Sequence, residues 1–274
     1  MGLTTLQQIE ETVRAIRAVS GAKPTVGIVL GSGLSNLASE IRIEQEISYS
    51  DIPHFPVSTV EGHHGKLIFG TLNGRSVVTL SGRFHYYEGY TPQQVVYPIR
   101  VLKFLGVETL LLSNAAGGMN RSFRVGDLMI INDHISLFTV NPLLGKNESS
   151  LGPRVPDMSE PYDRGLIRKA KSIAVGLGIP VHEGVYAGVT GPTFETRAEY
   201  KLLHIAGGDA VGMSTVQEVI AARHLGMAVF AMSVITDLGI RDEDNIITHE
   251  EVLQAAAAAE PKLTALFKEL IGVL

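Results

Sequence analysis

The residues with the most chemical potential stand just past short apolar runs. Gly31-Ser32-Gly33 follows Val26 to Leu30, and Ser81-Gly82-Arg83-Phe84-His85 begins where Val77 to Leu80 ends. Asn114-Ala115-Ala116-Gly117-Gly118 comes after Thr109 to Leu112, and Gly191-Pro192-Thr193-Phe194-Glu195 after Val185 to Val189. Gly212-Met213-Ser214 follows Ala210-Val211, and Thr236-Asp237 closes Val229 to Ile235. Backbone N–H groups of the first glycine turn, with the Ser32 hydroxyl, suit an oxyanion. Arg83 and His85 lie two apart and share a face if the strand continues, which makes a cationic clamp for phosphate. Ser214 stands beside a helix N-terminus, where an anion is favoured. Glu195 has the chemistry to read N–H donors on a ring stacked by Phe194. Taken singly, each has a plainer reading: a tight turn, a solvated strand end, an acid in a first helical turn.

Several familiar chemistries are excluded. The dinucleotide fingerprint G-x-G-x-x-G fails because Asn36 occupies the third glycine position. His63-His64 has no second cluster at ligand spacing, and His249-Glu250-Glu251 is not H-E-x-x-H, so no metal is expected. No G-x-S-x-G nucleophile elbow occurs.

The elements that must position these residues alternate. The apolar runs are short, rich in β-branched residues and bounded by turn formers, as strands buried on both faces are. Leu6, Ile9, Val13, Ile16 and Val19 keep a 3–4 spacing that predicts a helix over 4–19. Thr91-Pro92-Gln93-Gln94 and Thr215-Val216-Gln217-Glu218 read as capping boxes, the second opening a helix that ends near Gly226. Residues 248–272 read as a C-terminal helix bent at Pro261, and 140–162 as a long functional loop. The fold class is therefore α/β, with a single domain over 1–274 and one small-molecule site beyond the carboxyl ends of several strands.

Composition agrees. The chain has 274 residues, 45% hydrophobic and 19% charged, which excludes a mainly disordered protein. It has no cysteine, so disulfide scaffolds and thiolate sites are excluded. A net charge of −5 without a basic stripe argues against a nucleic-acid partner. No uncharged apolar run approaches the roughly 18 residues of a membrane span, and no signal peptide is visible, so a cytoplasmic location is expected.

Together the segments resemble the trimeric purine nucleoside phosphorylase family. The resemblance is carried, in order, by Gly31-Ser32-Gly33-Leu34, Gly62-His63-His64-Gly65, Gly82 to Gly89, Asn114 to Gly118, Gly191 to Thr196, Val211 to Thr215 and Thr248 to Glu251. It implies a twisted mixed sheet flanked by helices, a homotrimer, and no cofactor besides inorganic phosphate as co-substrate. It implies reversible phosphorolysis of purine (deoxy)ribonucleosides, with inosine and guanosine favoured, to free base and pentose 1-phosphate, a pentosyltransferase reaction of purine salvage. Phosphate would be held by Ser32, His63, Arg83, His85, the Ala115 backbone and Ser214. Ribose would meet Tyr87 and Met213, with His249 near the 5′-hydroxyl. The purine would lie by Ala116, Gly117, Phe194, Glu195, Val211, Thr236 and Asp237. The catalytic set would be His85, Glu195, Asp237 and His249, with Glu88 orienting His85.

Two residues depart from the family pattern. Members selective for 6-oxopurines typically carry asparagine at the place of Asp237, which bears on base preference. Val155 stands where a neighbouring subunit often supplies a phenylalanine over the ribose. Two alternatives remain open: a methylthioadenosine or adenosine-accepting phosphorylase of the same fold, and a nucleoside-binding protein without catalysis. The leading reading expects Arg83→Ala to remove most activity while leaving the protein folded.

Overall fold

The computed structural model describes residues 3–32, 34, 36–57, 65–240 and 248–274. One nine-stranded sheet organises them, in the order β2-β3-β4-β1-β5-β8-β7-β6-β9. The strands are β1 (Val26–Val29), β2 (Arg42–Ser48), β3 (Lys66–Leu72), β4 (Arg75–Ser81), β5 (Thr109–Gly118), β6 (Leu128–Phe138), β7 (Val181–Val189), β8 (Ala210–Gly212) and β9 (Ala228–Leu238). An additional β5–β9 pairing closes β5, β8, β7, β6 and β9 into a ring. Parallel pairs (β1–β4, β1–β5, β5–β9, β6–β7) coexist with antiparallel ones (β2–β3, β3–β4, β5–β8, β6–β9), so the sheet is mixed.

Seven α-helices flank it: α1 (Thr5–Val19), α2 (Pro92–Val95), α3 (Tyr97–Leu105), α4 (Arg164–Leu177), α5 (Arg197–Ile205), α6 (Val216–His224) and α7 (His249–Gly272). α1 starts on a Thr4–Gln7 capping box and buries Ile9, Val13 and Ile16, the face its spacing marks out. α7 carries Pro261 internally and packs on β9 and α4, with Phe267 edge-on to Phe230 at 5.8 Å. No described helix is long and apolar enough to cross a membrane.

The structure corrects four sequence-level expectations. Asn114 to Gly118 and Asp237 do not lie in loops after strands. β5 and β9 run on through them, paired in register from Asn114 opposite Ser233 to Gly117 opposite Asp237, with a bulge at Ala116/Gly117. The helix begun at Thr91 stops after one turn and restarts as α3 with Pro98 in its first turn, where a proline lacking N–H is tolerated. β2, β3, α4 and α5 were not anticipated. The capping box at Thr215 does not form: Thr215 has φ +70° and makes no side-chain cap bond, and Glu218 turns elsewhere. The expected loop over 140–162 does hold neither helix nor strand.

Glycine at position 31 is required by packing. A Cβ there would stand 2.8 Å from the Asn114 Cα and the Ser113 carbonyl oxygen, both backbone atoms that cannot swing away. Gly31→Ala is therefore expected to destabilise the fold by about 1–3 kcal/mol, the range of overpacked sites, read from the urea midpoint.

Candidate active site

A single cleft collects the chemistry. It is lined by Ser32 after β1, Arg83, His85 and Tyr87 after β4, Asn114 to Gly117 of β5, Phe194 and Glu195, Tyr200 of α5, Val211 to Ser214, Thr236 and Asp237 of β9, and His249 and Val252 of α7. Sixteen positions were expected from sequence; all but one line this cleft, and His63 lies outside the described residues.

The anion side is built on a buried ion pair. Arg83 is 1% exposed. Its Nη2 donates to Glu218 Oε2 at 2.8 Å, its Nε to Glu218 Oε1 at 3.3 Å, and its Nη1 to the Ser113 carbonyl at 2.6 Å. Glu218 belongs to α6, which is buried on every side. At least three of the five guanidinium N–H groups thus hold Arg83 in place. The Glu218 carboxylate takes a bidentate pair of N–H groups from the guanidinium that sequence reserves for phosphate.

Thr215 explains the failed cap. Its Oγ1 accepts from Asn114 Nδ2 at 2.9 Å and sits 3.2 Å from Ser214 Oγ. Both members of the apparent capping box are thus diverted, Thr215 toward β5 and Glu218 toward Arg83. A β-branched residue at positive φ costs of the order of 1–3 kcal/mol, and such strain collects at functional sites.

His85 is fixed from two directions. Its ring stacks on Tyr87 at 4.7 Å and 17°, and Nδ1 lies 3.0 Å from Glu88 Oε1, which also accepts from the His85 backbone N–H at 2.8 Å. Burial, offset by Glu88, lowers the imidazole below its ordinary value, so the ring is neutral at pH 7. The same burial pushes the Tyr87 phenol up to about 12.

The opposite wall carries two carboxylates. Asp237 is buried; its Oδ2 accepts from Tyr200 Oη at 3.1 Å and its Oδ1 from Thr236 Oγ1 at 3.0 Å. Glu195 is partly buried and raised above the ordinary carboxylate range, first by desolvation and then by Asp237 and Glu199, against opposing hydrogen bonds from its own backbone and Tyr200. Sequence reasoning missed Tyr200 and Val252, and gave Asn114 and Gly212 no role of their own. The signal for Tyr200 was present: it shares the buried face of α5 with Leu203, and a buried tyrosine hydroxyl needs a partner.

A family model described as "Phosphorylase superfamily" matches residues 25–272. The chain belongs to this superfamily. It is 49% identical over 263 residues to purine nucleoside phosphorylase 1 of Geobacillus stearothermophilus, covering 96% of each chain. It is 47% identical over 266 residues to the purine nucleoside phosphorylase of Rattus norvegicus, covering 94% of this chain and 92% of that one. Among solved structures, Schistosoma mansoni purine nucleoside phosphorylase in complex with adenosine superposes with a TM-score of 0.95 at 43% identity, covering 99% of both chains. The complex of that organism's enzyme with inosine gives 0.94 at 42%.

The Arg83–Glu218 pair revises the expectation for Arg83→Ala. Removing the guanidinium strands a carboxylate whose side chain is 5% exposed, so the variant should lose about 3–5 kcal/mol of stability rather than fold normally. Arg83→Met with Glu218→Met should recover most of that loss in urea unfolding while remaining inactive.

Proposed function

We propose that the protein is a purine nucleoside phosphorylase, joining phosphate to the sugar C1′ of a purine nucleoside as the base departs. The observation that carries this reading is the pairing, across one cleft, of a buried Arg83–His85 corner with a Glu195–Asp237 wall beside Phe194. In this reading phosphate binds Ser32, His63, Arg83, His85, Ala115 N–H and Ser214. Ribose meets Tyr87, Met213 and His249. The purine is held by Ala116, Gly117, Phe194, Glu195, Val211, Thr236 and Asp237.

The physical logic is one of placement. Phosphate is already a nucleophile, so no covalent enzyme intermediate is required, and alignment alone can supply roughly 7–11 kcal/mol of the barrier. The C1′–N9 bond breaks with its electron pair entering the purine, and a C1′–O bond forms to phosphate. The dianion stabilises the cationic sugar between them. Neutral His85 and the Glu218-paired Arg83 hold phosphate by hydrogen bonds without neutralising the charge the sugar needs. The departing base gains negative charge; Glu195 accepts from N1–H of a 6-oxopurine, and Asp237 in its protonated form donates toward N7.

We infer one domain over 1–274, in line with the continuous sheet, and a cytoplasmic homotrimer. The exposed Val155 (84%), and a groove of Phe138, Val189, Leu202 and Leu203 adjoining Glu195, support an assembled form in which copies meet beside the cleft. Inosine, guanosine, adenosine and methylthioadenosine, each incubated with and without phosphate, test the reading. Phosphate-dependent release of hypoxanthine and guanine is expected, with methylthioadenosine slower because His249 at the cleft mouth suits a polar 5′ end. Release independent of phosphate, or none, contradicts the reading.

Glu195 links stability to pH. A carboxyl with a raised folded-state pKa supports the fold below its unfolded value, and that support is lost as pH rises through the folded value. Ionised Glu195 therefore costs stability at pH 8. Glu195→Gln should raise the Tm at pH 8 and give no gain at pH 4, while lowering kcat/KM for inosine by about 100-fold or more.

A further inference from the structure

The turn that carries Ser32 is fixed on both sides. On the near side Gly31 lies against β5: its N–H donates to Ser113 Oγ at 3.2 Å, and a Cβ there would meet the Asn114 Cα at 2.8 Å. Leu34, fully buried, donates its N–H back to the Gly31 carbonyl at 3.1 Å. On the far side stands Glu260 of α7, 2% exposed. Its Oε1 accepts from the Asn36 backbone N–H, and its Oε2 accepts from Asn36 Nδ2 at 2.7 Å. The Leu37 N–H acts on the same carboxyl. These partners are all donors, so the ionised carboxylate serves them with both oxygens. Burial raises its pKa above the ordinary carboxylate range, and the N–H groups of Asn36 and Leu37 oppose the rise.

A buried carboxylate is a costly way to hold a turn, and adhesion between these two elements does not require one. Leu37 is fully buried in the core that also holds Leu263 and Leu266 of α7. Further along, Lys268 Nζ meets Glu40 Oε2 at 2.6 Å, with both side chains exposed. What Glu260 adds is direction: two hydrogen bonds to one residue set where the chain leaves the Ser32 turn. Its place on α7 matters as well. His249 and Val252 of the same helix line the cleft. From His249 to Glu260 is about three full turns, so the two share a face about 16 Å apart along the axis. One helix thus touches the cleft with His249 and holds the turn of Ser32 with Glu260. Neither Asn36 nor Glu260 lines the cleft itself.

We propose that Glu260 is a positioning residue for the anion: through Asn36 it fixes the turn that presents Ser32, and it ties that turn to the helix that carries His249. The inference rests on the phosphorylase reading for the identity of the anion, inorganic phosphate, and deepens it. Without Glu260 the turn keeps its apolar anchors and loses its direction. The Ser32 hydroxyl then drifts relative to Arg83 and Ser214, which belong to other elements and stay where they are. A misplacement of about 1 Å between groups that must align costs about 100-fold in rate. The loss falls first on phosphate, because Ser32 lies on the anion side of the cleft, and the purine wall of Glu195 and Asp237 is built on separate segments.

The test separates KM for phosphate from KM for inosine in wild type, Asn36→Asp, Asn36→Asp with Glu260→Gln, and Lys268→Met. Asn36→Asp sets two carboxylates against each other. Adding Glu260→Gln repairs the contact, since the glutamine amide donates to the aspartate and its oxygen accepts from the backbone N–H at position 36. Asn36→Asp should raise KM for phosphate about tenfold with a smaller change in KM for inosine, and the double variant should return it to within about threefold of wild type. Lys268→Met, which removes the exposed ion pair between the same two elements, should leave KM for phosphate unchanged. A purely structural role predicts a lower Tm with KM for phosphate unaltered; that result, an equal rise in both KM values, or no rescue by Glu260→Gln overturns the proposal. Asn36→Ala covers a failure of Asn36→Asp to fold: it deletes one donor without adding charge, and an unchanged KM for phosphate overturns the proposal equally. Calorimetric titration with inorganic phosphate reads the same loss of affinity without turnover. An active wild type whose phosphate affinity ignores position 36 defeats this inference alone, whereas a wild type that releases no base with phosphate defeats the phosphorylase reading itself.

Discussion

The buried pair between Arg83 and Glu218 is the contact on which the rest of the cleft depends. A guanidinium with 1% exposure is stable only where its charge and its N–H groups are answered, and here they are met by a carboxylate from α6 and a carbonyl from β5. That requirement ties the segment after β4 to the start of α6 and to the middle of β5. The three elements come from distant parts of the chain, and the ion pair fixes where they meet. Ser214, Thr215 and Asn114 then fall beside it, bound to one another rather than to the helix end they would ordinarily cap.

The cleft is polarised along its length. At one end a paired cation and a neutral imidazole offer hydrogen bonds with little net charge. At the other, two acids and a phenol crowd together, and burial makes Glu195 and the Tyr200 phenol reluctant to ionise. A reaction that creates positive charge in the middle and negative charge on the leaving ring is served by this layout: the anion is held without being quenched, and proton exchange is available where the ring departs. α7 braces the arrangement. His249 stands at the cleft, and three turns on Glu260 accepts from the Asn36 backbone N–H and, at 2.7 Å, from its side-chain amide, anchoring the start of the short helical turn over Asn36–Glu40.

Much of this was legible in the sequence, for identifiable reasons. Buried strands read as short apolar runs, and the small and polar residues beyond them mark a site because strand ends in α/β sheets have no other reason to share that composition. α1 was visible through its 3–4 apolar spacing and α7 through its alanine- and leucine-rich run; in the structure both open on capping boxes. What failed was local reading at places where long-range bonds override local propensity. Thr215 and Glu218 have the spacing of a cap, yet Asn114 and Arg83 take both side chains. β5 and β9 extend past the apolar core because they pair with each other, a contact no single segment reveals. Tyr200 lies five residues after Glu195, on a helix whose buried residues Tyr200 and Leu203 cluster with Met119, Ala187 of β7 and Val211 of β8. Its partners could not be assigned from spacing. β2 was overlooked because it is mostly exposed.

The account stands on an anion seated beneath a sugar whose base lies between Glu195 and Asp237. A crystal structure of the protein with inorganic phosphate and hypoxanthine tests this most directly. Phosphate is expected within hydrogen-bond distance of Arg83, His85 and Ser214, with the purine ring against Phe194 and both acid side chains at its edge. Phosphate bound away from Arg83, or a base seated outside the cleft, would contradict it.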